Sequence, residues 1–187
     1  MFRKQKTIEA ASFLIGILDP EGTGIPYIKL IKLLYIADRE MLRRKRHTLT
    51  GDDHWAMKYG PVLGKTLELI KGTDADWSQH FRTDLDAKVI SAAGRESLGA
   101  LSRVDHAVLK EVADSHGHLP WQDLVELTHE FPEWKPVNKG RLRISLWDMA
   151  KAVGFSDGEA KEVVEYNAEL REIQQFQDQI RALGVPA

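Results

Sequence analysis

Between Pro26 and Arg39 the chain carries Ile28, Leu30, Ile31, Leu33, Leu34, Ile36 and Ala37, an apolar run with almost no polar side around its middle. A helix with one apolar stripe packs on one neighbour, whereas a helix apolar nearly all round has to be enclosed. Pro26 has the backbone angle suited to a first helical turn. After Arg39 the sequence turns polar through Arg43-Arg44-Lys45-Arg46, so both ends of the helix are marked. The remaining residues must therefore build a surround for this segment, which makes it the expected centre of the fold.

A chain of 187 residues is long enough to enclose such a helix in one domain without metals or disulfides. Its 43% hydrophobic and 29% charged residues are ordinary for a globular protein and argue against wholesale disorder. The longest apolar runs, Phe13 to Leu18 and Leu33 to Ala37, fall far short of the roughly 20 residues of a spanning helix. Glu9 follows the basic Arg3, Lys4 and Lys6, and no small-residue cleavage site closes the apolar run, so no secretory signal is expected and the expected location is the cytoplasm. The lack of cysteine removes thiolate catalysis, disulfides, iron–sulfur clusters and the common Cys-based zinc sites. A net charge of −2 supplies no global attraction to nucleic acid.

Ile8, Ala11, Ile15 and Leu18 recur at three- and four-residue intervals and predict a first helix ended by Asp19-Pro20-Glu21-Gly22. The segment Gly51 to Pro61 shows no clean period and reads as a compact connection into a third helix with Leu63, Leu67 and Ile70 inside, stopped at Gly72. Trp77 to Phe81 and Lys88 to Ser91, separated by the turn-like Thr83 to Asp86, predict a β-hairpin. Ser102 and Asp105 form a capping box ahead of a helix carrying Val104, Val108 and Val112, which Gly117 ends. Pro120 opens a short helix with Leu124 and Leu127 that breaks near Phe131 to Pro136. A helix around Ile144 to Val153 and a last one from Ser156 to about Leu183 complete the chain, the last with Glu159 completing its capping box. The fold class read from this order is mainly α: a compact helical domain with a small β-hairpin and a C-terminal helical extension.

Few residues suggest chemistry. His116, His118 and His129, with Asp114, Asp123 and Glu130, are metal-ligand types, but their spacing matches no metal motif, and histidines at helix ends are simply placed to meet the C-terminal dipole. There is no Gly-rich phosphate loop and no Gly-x-Ser-x-Gly turn, and Asp52-Asp53 reads as a turn or cap. No enzyme, catalytic residue, metal or cofactor is expected. The helices between Ser102 and His129 have the length and turn of a helix-turn-helix, with the hairpin as a wing, so a DNA-binding transcriptional regulator is the alternative function. Against it, Trp121 to Glu130 contains Asp123, Glu126 and Glu130 and no Lys or Arg, and Arg43 to Arg46 is the ordinary basic end of a helix. Asp38, in the most apolar helix, needs partners: it either pairs with a backbone or basic group or shapes a groove with Trp55 and Tyr59. The last helix bears a narrow stripe, including Tyr166, Leu170, Ile173 and Phe176, suited to one partner surface.

Three segments carry a resemblance when taken in order: Lys29-Leu30-Ile31-Lys32-Leu33-Leu34-Tyr35-Ile36-Ala37-Asp38, Trp55-Ala56-Met57-Lys58-Tyr59-Gly60-Pro61-Val62, and Trp121-Gln122-Asp123-Leu124-Val125-Glu126-Leu127-Thr128-His129 followed by Trp134. Together they resemble the Panacea domain family, the SocA-like antitoxins also found as phage-associated proteins. The resemblance covers residues 26–135, so the expected organisation is a core over 1–136 and a helical extension over 137–187. It implies an antitoxin that neutralises a cognate protein toxin, encoded by the adjacent gene, by direct binding; delivery of the toxin to a protease is known for one family member. Of the motif residues, Lys32, Tyr35, Gly60, Pro61, Trp121, Thr128, His129 and Trp134 are expected to be structural, Gly60-Pro61 setting a turn and Thr128 and His129 bonding around a helix end. Asp38, Trp55, Tyr59, Tyr166, Leu170, Ile173 and Phe176 are the expected partner-binding residues.

Overall fold

The computed structural model describes residues 1–94 and 99–182. In chain order, α1 (Lys4–Leu18) is followed by β1 (Ile25–Pro26), α2 (Tyr27–Lys45), β2 (His54–Met57), β3 (Gly60–Leu63) and α3 (Gly64–Lys71). Then come α4 (Ala75–His80), β4 (Phe81–Asp84), β5 (Val89–Ala92), α5 (Arg103–His116) and α6 (Trp121–His129). The chain continues with β6 (Leu142–Ile144), α7 (Leu146–Ala152) and α8 (Asp157–Ala182). The class is mainly α with small β elements.

The all-round apolar helix lies at the centre. Leu30, Leu33, Leu34, Tyr35 and Ala37 of α2 have no exposed surface, and α1, α5, α6 and β3 pack around them. Burying one such leucine contributes about 2 kcal/mol, and truncating it to Ala in so dense a setting costs more because a cavity remains. Pro26 stands one residue before α2 and pairs with Val89, while Arg46 ends the helix in the left-handed region at φ 60°, its N–H donating to Leu42 O. Both capping boxes form: Ser102 with Asp105 ahead of α5, and Ser156 with Glu159 ahead of α8.

Two expectations are corrected. The hairpin begins at Phe81, because Trp77 to His80 belongs to α4: the Asp74 carboxylate accepts the Trp77 N–H, and that cap favours a helical turn over the extended state suggested by the bulky side chains. Its strands β4 and β5 pair antiparallel, and β5 also pairs with β1. The segment read as a connection over Gly51 to Pro61 is a second hairpin, β2 with β3, turning through Lys58 and Tyr59. Gly60 makes that turn possible at φ +84°. β6 extends this sheet on the other side of β2, with Ile144 opposite His54 and Leu142 opposite Ala56. Through Ile144, Met149, Ala150, Ala160 and Val163, the segment after residue 136 joins the same hydrophobic core as α2.

Candidate interaction site and the motif cluster

The three motif segments meet where α2, the β2–β3 turn and the end of α6 converge. Lys32 is fully buried, and its Nζ donates to the carbonyl of Pro61 at 2.8 Å. Proline has no N–H to lose on the outer side of β3, and the lysine takes up its carbonyl, so Pro61 leaves no backbone group open at this sheet edge. A Cβ on Gly60 would stand 2.6 Å from Lys32 Nζ and 2.8 Å from Thr128 Oγ1, so the position needs glycine for space as well as for its positive φ. Burial lowers the Lys32 pKa to about 7. Thr128 turns its hydroxyl back to Leu124 O at 2.8 Å and Val125 O at 3.1 Å. His129 stacks on Trp134 with ring centres 3.9 Å apart, and the Trp134 indole N–H donates to Met57 O at 3.2 Å, pinning the segment after α6 to the hairpin. Burial first, and the charge of Lys32 second, lower the His129 pKa.

Beside this cluster the Tyr35 hydroxyl donates to Glu133 Oε1 at 2.9 Å, and Arg39 Nε donates to the same oxygen at 2.6 Å. Phe131 lies under the Arg39 guanidinium at 3.8 Å and stacks with Tyr35. Burial and the Glu133 carboxylate push the Tyr35 phenol well above its ordinary range. Neither Glu133 nor Arg39 was singled out in the sequence. The only local signal was a charge inside the otherwise Pro- and aromatic-containing stretch Phe131 to Pro136. Trp121 is half-buried at the first residue of α6.

Asp38 is fully buried and accepts from Thr50 N at 2.8 Å, Thr50 Oγ1 at 2.5 Å and His54 Nε2 at 2.8 Å. It ties α2 to the strand that follows. Asp52 has a comparable role: its carboxylate receives Lys65 N, Thr66 N and Thr66 Oγ1, so it caps α3 from twelve residues upstream of the helix's first residue, Gly64. Trp55 is half-buried with the Arg141 guanidinium 4.2 Å from its ring centre, and Tyr59 is exposed at the hairpin turn.

A cleft of about 1020 Å³ opens elsewhere, between the N-terminal residues, β6 with the start of α7, and the underside of α8. Leu170 and Ile173 line it, whereas Asp38, Trp55 and Tyr59 do not. Tyr166 and Phe176 are exposed on α8 outside the cleft lining. Asp38 is thus enclosed between α2 and β2, and the other sequence candidates for partner binding fall in two places, the hairpin side and α8.

The basic run at the end of α2 is engaged in ion pairs: Arg43 with Glu40, Arg44 with Glu40 and Glu111, and Arg46 with Glu162 and Glu159. Of the helices of the expected helix-turn-helix, α5 packs on α2 and α1, and α6 on α2 and β3. Among the described residues no group of three or more His, Asp or Glu side chains is arranged to hold a metal ion. No described helix is long and apolar enough to cross a membrane.

Comparison with known proteins gives one family. Neither a curated protein nor a solved structure matches the chain. The model of the antitoxin SocA-like Panacea domain matches residues 30–135, the span that begins in α2 and ends just after the His129–Trp134 stack. Lys32, Gly60 and Thr128 all lie within that match, and the chain belongs to the family of antitoxin SocA-like Panacea domains.

Proposed function

We propose that this protein is a cytoplasmic antitoxin that neutralises a cognate protein toxin, encoded by the adjacent gene, by direct contact. Family membership over residues 30–135 is the observation that carries the reading. The chemistry of the motif cluster is consistent with it: Lys32 holds α2 to the hairpin, and Tyr35 and Arg39 hold α2 to Glu133 in the segment after α6. Polar groups spent in this way make a rigid scaffold, and a scaffold acts through the surface it presents. No enzymatic role is proposed. The ion pairs that engage Arg43, Arg44 and Arg46 leave no observation that favours the DNA-binding alternative.

The test is co-expression. The adjacent gene induced alone should arrest growth, and induction together with this protein should relieve the arrest, with the two products co-purifying. Persistent arrest despite soluble, folded protein would refute the reading. The toxin level during rescue separates two modes: masking leaves it unchanged, whereas hand-over to a protease lowers it.

A further inference from the structure

Helix α8 departs from the core after Asn167. Up to that point Ala160 and Val163 are fully buried, and the Asn167 side chain donates to the carbonyl of Arg46 at 2.7 Å. Across this point the apolar spacing of three and four runs on from Val163 through Tyr166 and Leu170 to Ile173, with Phe176 three residues further. Tyr166, Ile173 and Phe176 are 44%, 55% and 63% exposed, so large apolar side chains continue where the core does not follow. Singly exposed apolar residues are ordinary, but a run of them along one helical seam is the pattern of an anchor for a groove.

The charges beside the seam indicate what kind of groove. Glu165, Glu169 and Glu172 are exposed along one flank; Glu165 lies 3.8 Å from Lys161, and Glu169 and Glu172 have no ion pair among the described residues. Two copies of this chain laid antiparallel along the seam would set glutamate flank against glutamate flank, which is repulsive. A surface edged by lysine and arginine would instead neutralise the flank while covering the apolar side chains. We propose that α8 from Tyr166 to Phe176 docks as a helix into an apolar groove with a basic edge on the toxin. This rests on the antitoxin reading above.

The experiment titrates the full-length protein with the purified product of the adjacent gene at low and high salt. Ile173→Asp with Phe176→Asp should weaken binding by about 30-fold or more, as loss of central anchors does. Glu169→Lys with Glu172→Lys should weaken it by roughly tenfold and flatten its salt dependence. Lys110→Ala, on the solvent-facing side of α5, should change nothing. Wild-type binding with both double variants binding as tightly overturns the docking surface and leaves the antitoxin reading intact. Wild-type protein that neither binds nor relieves arrest overturns both. A dimer in sedimentation that Ile173→Asp with Phe176→Asp dissolves also overturns the proposal, since the seam would then be self-complementary.

Discussion

The ammonium of Lys32, on the central helix, is held 2.8 Å from the carbonyl oxygen of Pro61 with no exposed surface and no carboxylate among its bonded partners. Burial alone lowers its pKa to about 7. Between that value and the ordinary 10.5, the unfolded chain holds a proton that the folded chain has released. Folding stability should therefore rise with pH across this window and be lowest below about 7, where the folded state must bury the charge.

The window's contribution is up to about 1.4 kcal/mol per pH unit. In Lys32→Met it should vanish, while the Pro61 carbonyl, left without its donor, costs about 1 kcal/mol at every pH. Urea unfolding of both proteins at about pH 6.5 and about pH 9 isolates the lysine, because all other groups are shared. Equal pH slopes would show that Lys32 is not buried as a proton-losing group. In the variant the His129 imidazole should also titrate nearer its ordinary range by NMR, since one of its depressing charges is gone.

Gly60 sits against the same ammonium. Gly60→Ala should destabilise the protein by about 2 kcal/mol or more, combining a positive φ with a Cβ crowded by Lys32 Nζ and Thr128 Oγ1. Denaturant titration reads this as a lower midpoint at unchanged slope; a shift under about 0.5 kcal/mol would mean that the turn rearranges freely.

How much of this was legible follows from the range of each interaction. α2 was readable because an all-round apolar run has one solution, and the boxes at Ser102 and Ser156 because their bonds close over three residues. The β2–β3 hairpin was not, since all four β3 residues are buried and show no alternation, and its turn, Lys58-Tyr59, lacks the usual Asn-Gly chemistry. β6 pairs with a strand more than eighty residues earlier, and no local pattern announces such a partner. The motif residues could be named from sequence, but Glu133 reaches Tyr35 and Arg39 across 98 and 94 residues, so the grip that joins them appears only in space.

Asp38 illustrates the same limit. Its need for partners was evident, and those partners are Thr50 and His54. Asp38→Ala should leave the Thr50 N–H, the Thr50 hydroxyl and the His54 ring without an acceptor and cost about 2–4 kcal/mol. In the co-expression test of the proposed function, any loss of rescue by this variant should track its unfolded fraction and recover on cooling to where it is folded. A fully folded variant that no longer neutralises would instead place Asp38 in the binding surface.

Two truncations test where the core ends along α8. Removing residues 168–187 leaves Ala160, Val163, the bond from the Arg46 guanidinium to Glu162 and the bond from Asn167 to the Arg46 carbonyl in place, so the melting temperature should change little. Removing 156–187 exposes the surfaces covered by Ala160 and Val163 and takes the Asn167 donor away from the carbonyl of the left-handed Arg46, at a cost of about 2–4 kcal/mol. Calorimetry distinguishes the two. If the shorter deletion melts as early as the longer one, the distal half of α8 supports the core, and its exposed seam could not be given up to a partner without unfolding. If only the longer deletion is destabilised, the helix serves the core up to Asn167 and is free for another surface beyond it.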